Sequence, residues 1–356
     1  MSLTDRMKDL TKALRKNRRL DDEGLKTLLE SKDAALVEAL HHNAREVTDE
    51  VFGRQVWLRA LIEWSNVCRN DCLYCGIRRS NGTLPRYSLS RDEILACCDT
   101  AWREGIRTFV LQGGENPQAA ASLVETVAAI RAAWPHAAIT LSLGELPAET
   151  YARLRQAGAD RYLLRHEAAD PQLYAQLHPA EMNWKHRIDC LHELRRLGFQ
   201  TGMGMMVGAP FQTTDHLIRD IRLIESFRPE MIGIGPFVPQ RDTPLGHFPA
   251  GSPDLTLRLY SILRLMHPHA LIPSTTALST LLHGNRLAGL RAGANVIMPD
   301  FTPARERSAY ALYDGKNAGW METTGNLSLL RQELAEAGYS INPGRGDYSE
   351  TVFHLC

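Results

Sequence analysis

From residue 56 onward, the chain alternates between short apolar segments and amphipathic segments. The apolar segments predict strands at residues 56–64, 107–113, 138–144, 161–167, 200–208, 231–239, 270–278 and 295–301. The amphipathic segments predict helices near residues 90–104, 119–133, 148–157, 181–197, 213–226, 255–267, 281–292 and 327–338. Strict alternation requires a parallel sheet, and eight strands close such a sheet into a barrel. The sequence therefore predicts an α/β fold with a full (β/α)8 TIM-type barrel; the alternative is an open or partial barrel of six strands.

The ends of the predicted helices agree with this alternation. Ser90 and Glu93 have the spacing of a capping box, which marks the start of a helix. Glycines stand between a helix and the following strand, where a left-handed residue is favoured, at Gly105, Gly158, Gly198 and Gly293.

The pattern divides the chain into three parts. Residues 1–53 are helical in pattern and rich in charge, so they predict an N-terminal helical extension. Residues 54–302 hold the predicted barrel, and residues 303–356 form a C-terminal segment that caps and closes it. The sequence has no internal repeat and no linker long enough to separate domains.

Composition excludes several classes of function. The 41 basic and 41 acidic residues cancel, so no overall charge favours nucleic acid or an anionic membrane. Residues 1–6 lack the apolar core of a signal peptide, and no run of about 18 apolar residues could span a bilayer. Seven cysteines, three of them clustered, indicate metal chemistry in a reducing compartment, so we expect the cytoplasm.

The clustered cysteines follow the first predicted strand. Cys68, Cys72 and Cys75 have the spacing C-x3-C-x2-C, with no fourth cysteine nearby. Three thiolates can hold three irons of a cubane cluster and leave the fourth iron open to a small molecule. A zinc site completed by a distant residue and a set of unrelated thiols are the alternatives. We expect Cys97, Cys98 and Cys190 to be buried structural thiols, and we assign no histidine as a metal ligand.

Polar residues end the second and fourth predicted strands. Gln112-Gly113-Gly114-Glu115 combines two glycines that permit close backbone approach with a carboxylate, although a plain turn before a helix would look similar. On the fourth strand, Leu163, Arg165 and Glu167 share one face, so the two charged residues reach the C-terminal end. They predict ligand contacts there, and the alternative is a structural ion pair. Ser142 ends the third strand at the same rim.

The remaining predicted strands contain glycines or end in uncharged threonine and methionine side chains. Glycines at 202, 204, 208, 233 and 235 indicate either a flat ring close to the backbone or bulges that curve the barrel. Thr275, Thr276 and Met298 stand where the last two strands end and predict a cavity for a polar, weakly charged substrate. The two threonines could instead satisfy backbone groups.

Taken together, these motifs resemble a known superfamily. C-x3-C-x2-C with Tyr74 before the third cysteine, supported by the Gly-Gly-Glu turn, is similar to the signature of radical S-adenosylmethionine enzymes. Within that superfamily the chain resembles the HydE family of FeFe-hydrogenase maturases, which is related to biotin synthase and methylornithine synthase. The resemblance runs from about Leu61 to Tyr313. Its most specific segments are ADRYLLRHE at 159–167 and GIGPFVPQRDTPL at 233–245.

The resemblance implies roles for individual residues. Cys68, Cys72 and Cys75 would bind one 4Fe–4S cluster, with S-adenosylmethionine closing the coordination of the fourth iron. Gly113, Gly114 and Glu115 would receive the methionine ammonium. Further implied cofactor contacts are Tyr74, Gln112, Ser142, Arg165, Glu167, Arg187 and Tyr310. The implied substrate cavity is lined by Thr140, Met231, Thr275, Thr276 and Met298.

The resemblance also implies a chemistry and its partners. Reductive cleavage of S-adenosylmethionine would give a 5′-deoxyadenosyl radical inside a closed lumen. The implied substrate is a small organometallic molecule, a cysteine-bound iron carbonyl cyanide unit made by a partner enzyme. Other maturation proteins and a flavodoxin- or ferredoxin-type reductant would be the protein partners.

The chain departs from the family in one respect, and two alternative functions remain open. Several members of the family carry a second cysteine cluster after a Tyr-x-Gly-Lys turn, but residues 316–324 contain no cysteine, so we predict one cluster. A methylornithine synthase-like or biotin synthase-like enzyme acting on a small organic substrate is one alternative. The other is a non-catalytic zinc or iron–sulfur scaffold, which would leave Arg165 and Glu167 unexplained.

Overall fold

A computed structural model describes residues 3–316 and 327–350. Its helices are α1 (Leu3–Asn17), α2 (Asp22–Glu30), α3 (Ala34–Phe52), α4 (Arg91–Arg103), α5 (Pro117–Ala133), α6 (Ala148–Gln156), α7 (Pro171–Leu177), α8 (Trp184–Arg196), α9 (Thr214–Phe227), α10 (Pro253–Met266), α11 (Thr276–Leu281), α12 (Leu287–Arg291), α13 (Ala304–Arg307) and α14 (Leu327–Glu336). Its strands are β1 (Gln55–Leu58), β2 (Ala60–Ser65), β3 (Thr108–Gly113), β4 (Ala138–Ser142), β5 (Arg161–Leu163), β6 (Gln200–Met203), β7 (Met206–Val207), β8 (Met231–Ile232), β9 (Gly235–Pro236), β10 (Val296–Ile297) and β11 (Ser340–Ile341).

The centre of the fold is a six-stranded parallel sheet in the order β2-β3-β4-β5-β6-β8. Helices connect its successive strands, as the alternation in the sequence predicts. A main apolar core lies between these strands and the surrounding helices. The structure therefore confirms an α/β fold, in the form of a partial TIM-like barrel.

Backbone pairing continues beyond both edges of this sheet. Met231 in β8 forms a parallel bridge with Leu271, and Pro273 forms one with Val296 in β10. β10 in turn pairs in parallel with β1, which precedes β2 in the chain. A further parallel bridge joins Leu61 to Asp300.

Several elements differ from their predicted lengths. The segment 270–278 forms bridges at Leu271 and Pro273, and α11 already begins at Thr276. Pro273 has no N–H group to extend a strand ladder, which explains the early end. The predicted helix 281–292 is interrupted, because His283 and Gly284 adopt positive φ angles of 52° and 91° between α11 and α12. Helix α7 was not predicted, although Asp170 caps it and Pro171 begins it.

The predicted helix ends are confirmed. Ser90 and Glu93 form the reciprocal bonds of a capping box at the start of α4. The four glycines that follow helices have positive φ angles, 81° at Gly105, 111° at Gly158, 79° at Gly198 and 110° at Gly293.

The two terminal parts pack against the sheet and its helices. In the N-terminal part, the Thr48 hydroxyl on α3 lies 3.5 Å from the carbonyl oxygen of Gly293. In the C-terminal part, β11 pairs in parallel with β1, and Asp347 accepts a 2.7 Å bond from the fully buried Arg161 guanidinium. Within residues 3–316 and 327–350, none of the helices combines the length and apolar character that crossing a membrane requires.

Candidate active site

The cysteine loop directly follows β2 and is fastened to three other segments. The backbone N–H of Arg69 donates to the carbonyl oxygen of Glu115 at 2.8 Å, and that of Gly76 donates to Leu312 at 2.8 Å. The N–H of Leu73 donates to Leu177, at the end of α7, at 3.0 Å. The positions of the three thiols therefore depend on contacts from distant parts of the chain.

Arg86 ties the two ends of this loop together. Its Nη1 atom donates to the carbonyl oxygens of Asn66 at 2.7 Å and Ile77 at 2.8 Å, and its Nη2 atom donates to Arg78 and Asn81. A planar guanidinium can serve several acceptors at once because its donors are fixed in a fork. Sequence reasoning missed Arg86, since no motif spacing distinguishes it from other loop arginines.

Two glycines let the backbone pass close to the loop. A Cβ atom added to Gly114 would lie 2.5 Å from the Val67 oxygen and 2.8 Å from the Cβ atom of Cys68. One added to Gly76 would lie 1.9 Å from the Ala311 oxygen. The Gly-Gly-Glu turn and the C-terminal segment are thus both packed directly on the cysteine loop.

The three thiols are half-buried, and their surroundings suit anionic sulfur bound to a cation. Burial raises the pKa of all three thiols, that of Cys75 to about 12, so thiolates at these positions require a nearby positive charge, such as that of a bound metal ion. Backbone N–H groups of Asn70 and Ile77 are directed at Cys68 and Cys75, and each opposes the effect of burial. Hydrogen bonds of this kind to sulfur are typical of iron–sulfur sites.

The Glu115 carboxylate is buried and has partners within the protein. Its Oε1 atom accepts from the Arg69 Nε atom at 2.8 Å, and its Oε2 atom accepts from the backbone N–H of Glu145 at 2.7 Å. The Arg187 Nη1 atom lies 3.9 Å from the same Oε2 atom. The structure therefore brings Glu115 to the cysteine loop together with two arginines, one of which was not predicted.

Arg187 occupies the centre of a group of acidic partners. On α8 it is buried, and its Nε atom lies 3.2 Å from the Oε1 atom of Glu145. Burial alone would lower the pKa of Arg187, but Tyr174, Glu145, Glu115 and Glu167 together raise it. The guanidinium stays charged beside the cysteine loop.

Side chains in β5 and in the residues that follow it alternate between two environments. Tyr162, Leu164 and His166 are buried in the core, whereas Leu163, Arg165 and Glu167 are half-buried on the opposite face. The Arg165 Nη2 atom lies 3.1 Å from the Oε2 atom of Glu167. Glu167 has a φ angle of 64°, a left-handed conformation that non-glycine residues adopt at an energetic cost and that often marks a functional site.

The C-terminal segment places two further side chains beside the first strands. The buried Tyr310 hydroxyl interacts with Gln112, whose neighbour in register on β4 is Ser142. The Nζ atom of Lys316 lies 5.2 Å from the centre of the Tyr310 ring and 2.7 Å from Oε1 of Glu63 on β2. Lys316 was not predicted as a site residue, and residues 317–324, where no second cluster is expected, lie outside the described residues.

Of the residues predicted to line a substrate cavity, some have hydrogen-bond partners within the protein and others do not. The Met231 sulfur accepts from Arg59 at 3.4 Å, and the hydroxyl groups of Thr275 and Thr276 lie 3.2 Å from Tyr260 and 3.0 Å from Tyr313. Among the described residues, no partner bonds the buried Thr140 hydroxyl or the Nε and Nη2 atoms of the buried Arg59. Met298 is half-buried. Arg59 adds a cation that sequence reasoning did not find.

The glycines of the fifth and sixth strands serve close packing between neighbouring backbones. A Cβ atom on Gly204 would lie 2.0 Å from the carbonyl oxygen of Gly233. One on Gly202 would lie 2.7 Å from the Leu163 side chain. These contacts favour the structural alternative for Gly202 and Gly204.

Comparison with known proteins identifies close relatives. The sequence profile of the Radical SAM superfamily matches residues 62–224. The chain is 44% identical over 324 residues to the FeFe hydrogenase maturase subunit HydE of Thermotoga maritima, covering 91% of this chain and 92% of that protein. It is 29% identical to 3-methylornithine synthase of Methanosarcina acetivorans over 83% of each chain. The crystal structure of methylornithine synthase (PylB) superposes with a TM-score of 0.83 at 26% identity, covering 94% of this chain and 97% of that one.

Proposed function

This chain belongs to the HydE family of FeFe-hydrogenase maturases within the radical S-adenosylmethionine superfamily, and we propose that its substrate is a cysteine-bound iron carbonyl cyanide unit. It is a radical S-adenosylmethionine enzyme of hydrogenase maturation. The observation that supports the active-site assignment is the packing of Gly114 against Cys68, which joins the Gly-Gly-Glu turn to the cysteine loop.

We assign the cluster to the cysteine loop. Cys68, Cys72 and Cys75 would hold three irons, and the N–H groups of Asn70 and Ile77 would stabilise the bound sulfurs. When bound, the cluster and S-adenosylmethionine supply one-electron cleavage of the cofactor's sulfur–C5′ bond, which gives methionine and a 5′-deoxyadenosyl radical. Arg86 holds the loop in place for this chemistry.

The cofactor would lie between the cysteine loop and the ends of β3, β4 and β5. Gly113 and Gly114 would offer backbone groups to the methionine ammonium, with Glu115 behind them. The Arg165–Glu167 pair, separated by 3.1 Å, would supply one positive and one negative contact. Tyr74, Gln112, Ser142, Arg187 and Tyr310 complete the proposed set of contacts.

We also propose that the strands enclose a sealed lumen. The bridges Met231–Leu271, Pro273–Val296 and Leu61–Asp300 support closure of the sheet into a full barrel of eight strands. We assign residues 1–53 to a helical extension, 54–302 to the barrel and 303–356 to the closing segment. A sealed interior would protect a reactive radical from water, and we place the substrate among Thr140, Met231, Thr275, Thr276 and Met298.

We further propose protein partners and a cellular compartment for this enzyme. A reductant of the flavodoxin or ferredoxin type would supply the electron, and a partner radical enzyme would supply the substrate. Cytoplasm is the compartment that suits free thiols and a reduced cluster.

Anaerobic cofactor cleavage tests the enzymatic part. Protein reconstituted with iron and sulfide should convert S-adenosylmethionine to 5′-deoxyadenosine under reduction, and Cys72→Ala should abolish this. Cys97→Ala is the matched control, because Cys97 is buried on α4 outside the cysteine loop, and this variant should keep the wild-type turnover. A reconstituted wild type that cannot cleave the cofactor would contradict the assignment.

A maturation assay tests the substrate. Apo-hydrogenase supplied with all other maturation proteins should gain activity when this chain is added, and Cys72→Ala should not replace it. The similarity to 3-methylornithine synthase favours one alternative, conversion of an amino acid. Formation of methylornithine from lysine, together with no effect in the maturation assay, would replace the maturase proposal by that alternative.

A further inference from the structure

A group of potential metal ligands lies outside the cysteine loop. It comprises Glu145, in the loop after β4, and His186 and Cys190 on α8. The two α8 residues are four positions apart, so their side chains share one face of the helix. This i, i+4 spacing presents two ligands to one ion in other metal-binding helices.

Two distances in this group are close to those between the ligands of a tetrahedral metal ion. The Nε2 atom of His186 lies 3.7 Å from the Cys190 sulfur and 3.5 Å from the Oε2 atom of Glu145. All three ligand atoms lie within 4.8 Å of one another. Zinc bonds of ~2.0–2.3 Å at tetrahedral angles place neighbouring ligand atoms roughly 3.3–3.6 Å apart. An ion could therefore enter with small side-chain adjustments.

The two oxygens of Glu145 face different partners. Oε1 lies 3.2 Å from the Nε atom of Arg187, whereas Oε2 faces His186. A cation can thus use Oε2 without displacing Arg187. The carboxylate and a Cys190 thiolate together would balance the charge of a divalent ion.

The group borders a cavity of about 500 Å³. Glu145 and Cys190 are buried, and the His186 side chain is 61% exposed at the cavity wall. Asp189 and Glu193 also line the cavity, although Lys185 and Arg196 pair with them. An ion held by the three ligands would keep a fourth position open to this space.

We propose that Glu145, His186 and Cys190 form a second metal site, which binds a divalent cation of the zinc type and leaves one position for water or a small ligand. Mixed sulfur, nitrogen and oxygen ligands in tetrahedral arrangement favour Zn2+ over the harder Mg2+ and Ca2+. The proposal revises the expectation that no histidine binds metal, and it does not depend on the reaction assigned to the cluster loop.

Zinc binding to the cluster-loaded protein tests the site. Chelator-treated, cluster-loaded wild type should bind one zinc ion per chain in addition to its iron, by elemental analysis after equilibrium dialysis. Cys190→Ala and His186→Gln should weaken binding on the order of 100-fold, because loss of a direct ligand costs at least as much as loss of a supporting residue. His192→Gln, at an exposed position on the same helix, should bind zinc like the wild type.

Cobalt substitution identifies the ligands directly. A thiolate-to-cobalt charge-transfer band should appear when Co2+ is added to the wild type and should be lost in Cys190→Ala. A Cys68→Ala/Cys72→Ala/Cys75→Ala variant should keep the band, which excludes binding at the cluster loop. His186 is exposed, so His186→Gln tests the site even if Cys190→Ala folds poorly. Wild type without bound zinc, or equal binding by His186→Gln, would overturn the proposal.

Discussion

The Nζ atom of Lys316 lies 2.7 Å from the Oε1 atom of Glu63, and both side chains are buried. Their positions are 253 residues apart, so this pair fastens the C-terminal segment to the strand that leads into the cysteine loop. Burial raises the pKa of Glu63 to about 8, and the Lys316 charge opposes that effect.

Removal of Lys316 should destabilise the fold. Lys316→Met leaves the buried Glu63 carboxyl protonated and without its hydrogen-bonding partner, so we expect the free energy of unfolding to fall by about 1–3 kcal/mol. Urea denaturation at pH 7 measures this loss. Lys185→Met is the control, because it removes an exposed ion pair with Asp189 and should cost less than about 1 kcal/mol. Equal losses in the two variants would mean that the buried pair contributes no more than a surface one.

A buried histidine supports the aromatic residue of the cysteine motif and should make stability depend on pH. The Nε2 atom of His178 lies 3.1 Å from the Tyr74 hydroxyl, and its Nδ1 atom lies 2.8 Å from the carbonyl oxygen of Tyr174. Burial, aided by the charge of Arg187, lowers the pKa of His178 to about 3. The neutral ring therefore donates from Nδ1 and accepts at Nε2.

The folded chain should lose stability between pH 6.5 and pH 3 because of His178. Below its ordinary pKa of about 6.5, the unfolded chain binds a proton that the folded chain does not, so acid favours unfolding. We expect the metal-free wild type to lose about 2 kcal/mol more between pH 7 and pH 5 than His178→Gln. Urea denaturation at both pH values measures the difference, with His192→Gln as an exposed control that should behave like the wild type. If His178→Gln loses as much unfolding free energy between pH 7 and pH 5 as the wild type, His178 is not the source of this pH dependence.

Close packing at Gly76 should control assembly of the cluster. A methyl group there would lie 1.9 Å from the Ala311 oxygen, so Gly76→Ala must push the C-terminal segment away from the cysteine loop. We expect iron and sulfide content after reconstitution to fall at least severalfold. Gly82 lies on the same stretch of chain with nothing within 4 Å of an added Cβ atom, so Gly82→Ala should load normally. If Gly76→Ala binds as much iron and sulfide as the wild type, the close contact between Gly76 and Ala311 is not required for cluster assembly.

The features predictable from sequence were those that a local pattern encodes. The Ser90–Glu93 capping box and the positive φ angle at Gly158 each depend on a few consecutive residues, and both are present. Strand lengths were predicted less well. An apolar run does not reveal that β6 ends at Met203, or that Gly204 packs so closely on Gly233 that an added Cβ atom would lie 2.0 Å from its carbonyl oxygen.

Residues that act across the fold could not be predicted in this way. Lys316 and Glu63 meet because the C-terminal segment returns to the first strands, and no spacing in the sequence indicates that return. His178 bonds Tyr74 from 104 positions away, and its role depends on burial that only the folded chain supplies. Motif spacing therefore predicts candidate reactive residues, whereas the contacts that hold them required the structure.

Replacing Arg86 tests whether the cysteine loop needs the hydrogen bonds that this side chain donates to its backbone. Its guanidinium donates to four carbonyl oxygens along residues 66–81, whereas the single ammonium group of a lysine cannot reach acceptors so far apart. Arg86→Lys keeps the charge, so any effect reports lost geometry rather than lost electrostatics.

We expect Arg86→Lys to lose its cluster roughly tenfold faster than the wild type or more, which is the usual effect of removing a group that orients metal ligands. Decay of the iron–sulfur absorbance in the presence of a chelator measures this rate under anaerobic conditions. Arg79→Lys is the matched control, because its exposed guanidinium contacts Glu181 at 3.7 Å. If both variants lose the cluster at the wild-type rate, the bonds from Arg86 do not hold the loop, and the contacts at Gly76 and Gly114 must be sufficient by themselves.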